Sequence, residues 1–270
     1  MKLLLQSSIA IIAITLLSTS CKKENAASVN EVSQDVLNKI ATKGFSIEDV
    51  RKVNNGYLVE GDIVLTDENL NTKSTSPNLL IANNEQYRTT NLVKGLPRTI
   101  TVSISGTLTN TAVWSKAIDE AIKRYNKFWL RLKFKRVASG GNIDINGFNE
   151  GSYNGSVTLG FAGFPMSNGN PYNQISLNTN AAAYGSSPNL YVIASVIQHE
   201  IGHCIGFRHT DYFNRALSCG GQKADEAGDA IKIPGTTSGF SSESFMLACS
   251  AGKNRDFNFN DLIALYYLYF

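Results

Sequence analysis

The residues best placed to do chemistry lie between Gln198 and Asp211, in the run QHEIGHCIGFRHTD. It contains His-Glu-x-x-His-x-x-Gly-x-x-His. Five fixed positions of this kind arise by chance in a chain of this size on the order of once in ten thousand sequences. The chain has 3 histidines, and they are the three of this run, His199, His203 and His209. Residues four apart on a helix are separated by roughly 400°, so His199 and His203 project from one face, one turn apart, and can reach one ion. Gly206 adopts positive φ at little cost, so the helix can stop there and the chain can turn back to bring His209 to the same ion. Three neutral imidazoles at ~2.0–2.1 Å leave the fourth tetrahedral position of Zn2+ open to water, the arrangement of a catalytic rather than a structural zinc. Glu200, beside the first ligand, is placed to accept a proton from that water. The implied chemistry is metal-assisted hydrolysis of an amide, in which zinc polarises the carbonyl and Glu200 passes the proton to the leaving amine. A structural zinc would want a thiolate in its fourth position, but Cys204 falls about 100° round the helix from His203, off the ligand face.

Several elements must hold these groups. A long helix over Leu190 to Cys204 carries the motif. Ile100, Val102 and Ile104 alternate as in a strand, Trp114, Ile118, Ile122, Tyr125 and Trp129 recur at helical spacing, and Leu130, Leu132 and Phe134 alternate again, with Arg131, Lys133 and Lys135 facing solvent. Trp114 and Trp129 are expected in the core. Further short strands are expected at Asn142 to Gly147, Ser156 to Phe161 and Gln174 to Asn178. After Gly206 the pattern is irregular until a terminal helix over Asn260 to Phe270, capped by Asn258 or Asn260. Upstream, Asn54-Asn55-Gly56 marks a hairpin turn, and the stretch from Asn69 to Asn84 reads as a linker.

HEIGHCIGFRHTD resembles the extended zinc signature of metzincin peptidases, and HEIGH followed by HTD is particularly similar to bacterial HEIGH-type, astacin-like metallopeptidases, which are commonly lipoproteins of Gram-negative bacteria. The resemblance covers roughly residues 85 to 270. It implies an α+β fold, with a mixed, mostly parallel twisted sheet, two long helices and an irregular C-terminal lobe ending in a helix. It also implies that Met246, in Ser244-Phe245-Met246, forms the methionine turn beneath the metal. SVTLGFAGF resembles the edge strand along which substrate pairs by β-addition. Astacins place a tyrosine ligand two residues after the turn methionine; Ala248 stands here, so no tyrosine ligand is expected. Astacins also have glutamate directly after the third histidine, whereas Thr210 and Asp211 follow His209. Val59-Glu60-Gly61-Asp62-Ile63 resembles the astacin propeptide motif, which implies that Asp62 could bind zinc as a latch, removed by cleavage in the linker.

Composition bounds the rest. At 43% hydrophobic and 17% charged residues the chain reads as globular, and a net charge of +3 with scattered basic residues argues against nucleic acid as a partner. Residues 1–20 have the layout of a secretory signal, and LLSTSC resembles a bacterial lipobox with Cys21 as the lipidated residue. The expected partners are therefore protein or peptide substrates and a membrane reached through a lipid anchor, on the outer membrane or cell surface, from which cleavage would release the enzyme. An exported protein keeps disulfides, and among Cys204, Cys219 and Cys249 the pair Cys219–Cys249 is favoured. Asp225, Glu226 and Asp229 fit no calcium loop. The expected organisation is a signal peptide over 1–20, a lipid-anchored leader and possible propeptide over 21–84, and a metzincin-like zinc peptidase domain over 85–270. Two function classes remain: a zinc endopeptidase, and a surface-anchored zinc-binding lipoprotein with a binding or adhesive role. Glu200 favours the first, since a site kept only for metal has no need of a base.

Overall fold

The computed structural model describes residues 32–72, 86–221, 230–237 and 240–270. The signal segment, Cys21, most of the expected linker and Asp225, Glu226 and Asp229 lie outside the described residues. In chain order the elements are α1 (Gln34–Thr42), β1 (Arg51–Val53), β2 (Gly56–Val59), β3 (Ile63–Leu65), α2 (Asp67–Asn71), β4 (Tyr87–Arg88), β5 (Arg98–Ile104), a 3-10 turn (Gly106–Asn110) and α3 (Ala112–Asn126). There follow β6 (Leu132–Arg136), β7 (Ile143–Phe148), β8 (Gly160–Gly163), β9 (Gln174–Asn178), α4 (Ala181–Tyr184), α5 (Leu190–Ile205), β10 (Phe207–Arg208), α6 (Ala216–Cys219), β11 (Ile231–Lys232) and α7 (Phe259–Tyr269).

Eight strands form one sheet in the order β1-β2-β3-β8-β9-β7-β5-β6. Strands β5, β6, β7 and β9 pair in parallel, as do β3 and β8, whereas β8 runs antiparallel to β9 and β1-β2-β3 form an antiparallel meander. The architecture is α+β with a mostly parallel sheet. A second sheet, β10-β4-β11, is small and antiparallel.

The two long helices pack on each other and on the sheet. Helix α3 buries Trp114, Ala117, Ile118, Ala121, Ile122 and Tyr125 at helical spacing, while α5 is buried almost all round from Ile193 to Ile205, as a central helix must be. The Arg124 guanidinium, itself buried, donates to Ser195 Oγ at 3.1 Å and Gln198 Oε1 at 3.0 Å, and Tyr125 Oη donates to the Gln198 carbonyl at 2.8 Å. The motif helix is thus fixed one residue before His199.

Three local expectations are corrected. Trp129 is 84% exposed rather than in the core, because α3 ends at Asn126, whose side chain exchanges hydrogen bonds of 2.7 and 3.0 Å with the Phe134 backbone and turns the chain toward β6. The strand expected from Ser156 begins at Gly160, since Ser156 closes a two-way bridge with Tyr153. The expected linker starts inside α2, where Thr66 and Asn69 form a capping box. Cys219 and Cys249 form a disulfide with Cα atoms 5.0 Å apart, and Cys204 is a buried free thiol. Among the described residues no helix is long and apolar enough to cross a membrane.

Candidate metal centre

The sequence places His199 and His203 four residues apart on α5, and the structure turns both toward one point, where ligand atoms of Asp62, His199, His203 and His209 lie within 4.8 Å of one another. Gly206 ends the helix with φ of 111°, in the left-handed region, and a Cβ there would lie 2.7 Å from Leu92 and 3.0 Å from the Asn91 carbonyl. The chain then turns back through β10 and delivers His209. Gly202, between the first two histidines, is required by close approach: a Cβ would sit 2.5 Å from Met246 Sδ and 2.9 Å from the Phe245 ring. Met246 is fully buried, with its sulfur against Gly202 of α5.

Backbone carbonyls aim two of the rings. His199 Nδ1 lies 2.8 Å from the Phe245 carbonyl, and His203 Nδ1 lies 2.9 Å from the Phe207 carbonyl. A carbonyl only accepts, so each Nδ1 carries the proton and each Nε2 presents a lone pair inward. His203 Nε2 and His209 Nε2 are 3.2 Å apart, and buried His199 Nε2 has no hydrogen-bond partner. Two lone pairs aimed into one buried pocket, with a third imidazole beside them, fit a cation.

The fourth group comes from the other end of the chain. Asp62 Oδ2 lies 2.9 Å from His209 Nε2 and 3.5 Å from His199 Nε2. Donor atoms around a tetrahedral ion at ~2.0–2.1 Å stand roughly 3.3–3.4 Å apart, so the spacings fit one zinc-sized ion held by Asp62, His199, His203 and His209. The sheet brings Asp62 there: β3 pairs with β8 through Ile63↔Ala162, and Ala162 N donates to the Asp62 carbonyl at 3.0 Å. Strand β3 therefore occupies one flank of β8, the strand that the family resemblance assigned to substrate pairing.

Glu200 is buried beside this cluster, and its Oε2 has no hydrogen-bond partner. Burial pushes its carboxyl well above the usual carboxylate range, and the Asp62 charge adds to the rise. Burial also holds His203 well below the ordinary imidazole range, with its histidine neighbours contributing, which keeps it neutral as a ligand must be. For Asp62 burial acts upward, but the neighbouring histidines, His209 foremost, outweigh it and hold the carboxyl well below its usual range.

Four groups support the site, and sequence reasoning gave a role to none of them. Buried Asp261 accepts from Ser244 Oγ at 2.9 Å, Phe245 N at 3.2 Å, Asn258 N at 2.8 Å and Gln86 Nε2, so α7 pins the methionine turn. Only the capping pattern Asn258-x-x-Asp261 signalled it. Asp211 is no ligand; it accepts from Ala248 N at 2.9 Å and Ser218 Oγ at 2.5 Å. Glu60 and Arg215 form an ion pair at 2.5 Å with side chains 0% and 8% exposed. Nothing in their spacing pointed to it.

A family model described as dual-action HEIGH metallo-peptidase matches residues 57–269. No curated protein matches the chain. Among solved structures, one of myroilysin shows 17% identity and a TM-score of 0.33, over 46% of this chain and 54% of that one. The chain thus spans about half the length of that relative. A crystal structure of myroilysin shows 16% identity and a TM-score of 0.39, over 65% of this chain and 86% of that one.

Proposed function

The chain belongs to the dual-action HEIGH metallo-peptidases, zinc-dependent enzymes that act on protein or peptide substrates, and on that premise we propose that it is an endopeptidase made with a latching leader. The observation that carries this reading is the convergence of ligand atoms of His199, His203, His209 and Asp62 at the edge of a cavity that His199, Asp62 and buried Glu200 line. When bound, zinc supplies a Lewis acid that polarises the scissile carbonyl and acidifies water. His199, His203 and His209 would hold it, and the tautomers of His199 and His203 are already fixed for that by backbone carbonyls. Glu200 is the general base that takes the proton of the attacking water and then delivers it to the departing amine; a raised carboxyl affinity for protons suits both halves of that transfer. No covalent intermediate on the protein is needed.

Asp62 is the latch in this reading. A carboxylate in the fourth position displaces the water that the reaction needs, and β3 covers the strand along which substrate would pair. Residues 21–84 then act as a propeptide, removed by cleavage between 69 and 84, and residues 85–270 as a metzincin-like peptidase. Export as a lipoprotein through Cys21 belongs to the same proposal, supported by the lipobox resemblance and by a disulfide that favours an oxidising compartment. Loss of fatty-acid labelling in Cys21→Ser would test it, and persistent labelling would overturn it.

The test of the function is casein cleavage and zinc content of residues 22–270, before and after limited proteolysis between 69 and 84, for wild type and Glu200→Ala. One zinc per chain in both, with cleavage by the activated wild type alone, is expected. Zinc without cleavage after activation would move the reading to the surface-binding lipoprotein.

A further inference from the structure

Beside the metal cluster lies a cavity of about 350 Å³ whose walls include His199, Glu200, Leu247 and the Cys219–Cys249 disulfide, and Glu60 of the leader lines it two residues before Asp62. Glu60 is held in this cavity with some force. It takes a φ of 60°, unusual for a side chain with a Cβ, and its Oε1 accepts from Ser46 N at 2.7 Å. Its Oε2 lies 2.5 Å from Arg215 Nη1, and Arg215 Nη2 donates to the Glu60 carbonyl at 2.8 Å. Arg215 belongs to the other partner in this contact. It precedes α6, in the segment that the disulfide ties to the chain just after the methionine turn, so it stays with the cavity when the leader is cut away.

Taken with the latch reading, on which this step rests, the leader lies where substrate lies, and the group it inserts next to the metal is a carboxylate on a buried guanidinium. We infer that Arg215 is a specificity residue: it selects substrates with glutamate or aspartate next to the scissile bond, and Glu60 imitates that side chain. The chemistry favours this class over others. A guanidinium nine-tenths buried rejects a basic side chain by like charge and offers a neutral one no ionic return, whereas a carboxylate recovers the contact that Glu60 makes. The pair is not accounted for by latching alone, since Asp62 already reaches the histidine cluster and β3 already pairs with β8.

The experiment is cleavage-site profiling of the activated full chain on a proteome-derived peptide library, read by mass spectrometry. Kinetics would follow on two peptides that differ only by Glu or Gln at the enriched position. Wild type should show Glu and Asp enriched at one position flanking the cleaved bond and should favour the Glu peptide by roughly 100-fold in kcat/KM. Arg215→Gln should lose that preference, with the Glu and Gln peptides cleaved at similar kcat/KM and the loss on the Glu peptide carried by a higher KM. Casein cleavage without acidic enrichment in the wild-type profile overturns the inference and leaves the peptidase reading intact, even if Arg215→Gln fails to fold. If the profile shows no enrichment while Arg215→Gln merely becomes active before the leader is cut, the pair is a clasp and the inference is wrong. Absence of any casein cleavage by the activated wild type overturns both readings together.

Discussion

Helix α5 and the β2–β3 turn bring ligating groups to the same ion site by opposite means. On α5 the ligands are four residues apart on a buried, thirteen-residue run, and carbonyls of Phe245 and Phe207 fix the rings, so the geometry is set by local periodicity and a packed core. At the turn, Asp62 is 137 residues from His199 and is held by two register pairs with β8 and by the Glu60–Arg215 pair. The helix makes a permanent site. The turn makes a long-range one: its strands share the main core through Leu58 and Val64, and on the latch proposal it is the side that cleavage removes.

That contrast is broken most sharply by removing one ligand from each side. His203→Ala should abolish casein cleavage and lower zinc affinity by more than the ~10–100-fold that losing an outer-shell partner costs. Asp62→Ala should keep one zinc per chain and shorten the time needed for activation. Equilibrium dialysis with a zinc chelator compares the two, and equal zinc loss in both would erase the distinction between permanent and removable ligands.

The next effect concerns what supports the permanent side. Asp261→Ala leaves Ser244 Oγ, Phe245 N and Gln86 Nε2 without their buried carboxylate, and should destabilise the chain by about 3 kcal/mol in urea unfolding. Gly202→Ala forces a methyl against Met246 Sδ, and should cost roughly 1–3 kcal/mol of stability with zinc still bound. The smallest effect is on the removable side: Asp35→Asn breaks an exposed pair with Lys39 in α1, and should change stability by less than ~0.5 kcal/mol. A larger loss there would mean that the leader is held through its surface rather than through β3 and Glu60.

The same contrast explains what could be read before folding. Periodicities of 3.6 and 2 exposed α3, β5 and β6, because each buries one face on a common core, whereas α5, buried almost all round, was read from its motif, and the Asn258 cap was visible as a residue type in the right place. His199, Glu200, His203 and His209 were legible because one helical turn and one glycine set their geometry. Asp62 was visible only through a resemblance, and its meeting with His209 depends on a parallel pairing of β3 with β8 that no local pattern encodes. Arg215 and Asp261 were invisible for the same reason. Their partners lie 155 and 175 residues away, as Glu60 and Gln86, and a charged residue in an irregular segment looks like solvated surface until the chain closes over it. Trp129 failed in the other direction: helical spacing continued past Asn126, but a side-chain bond to β6 ended the helix first.

The measurement that bears most directly on the central claim, a three-histidine site closed by a carboxylate from the leader, is the visible absorption of the cobalt-substituted full chain. Wild type should give the intense spectrum of a four-coordinate protein-ligand set. Asp62→Ala, with one cobalt still bound, and the wild type after leader removal should both shift to one common, altered spectrum as water takes the vacated position. Identical spectra for wild type, Asp62→Ala and the activated chain would show that Asp62 never reaches the metal and would contradict the account.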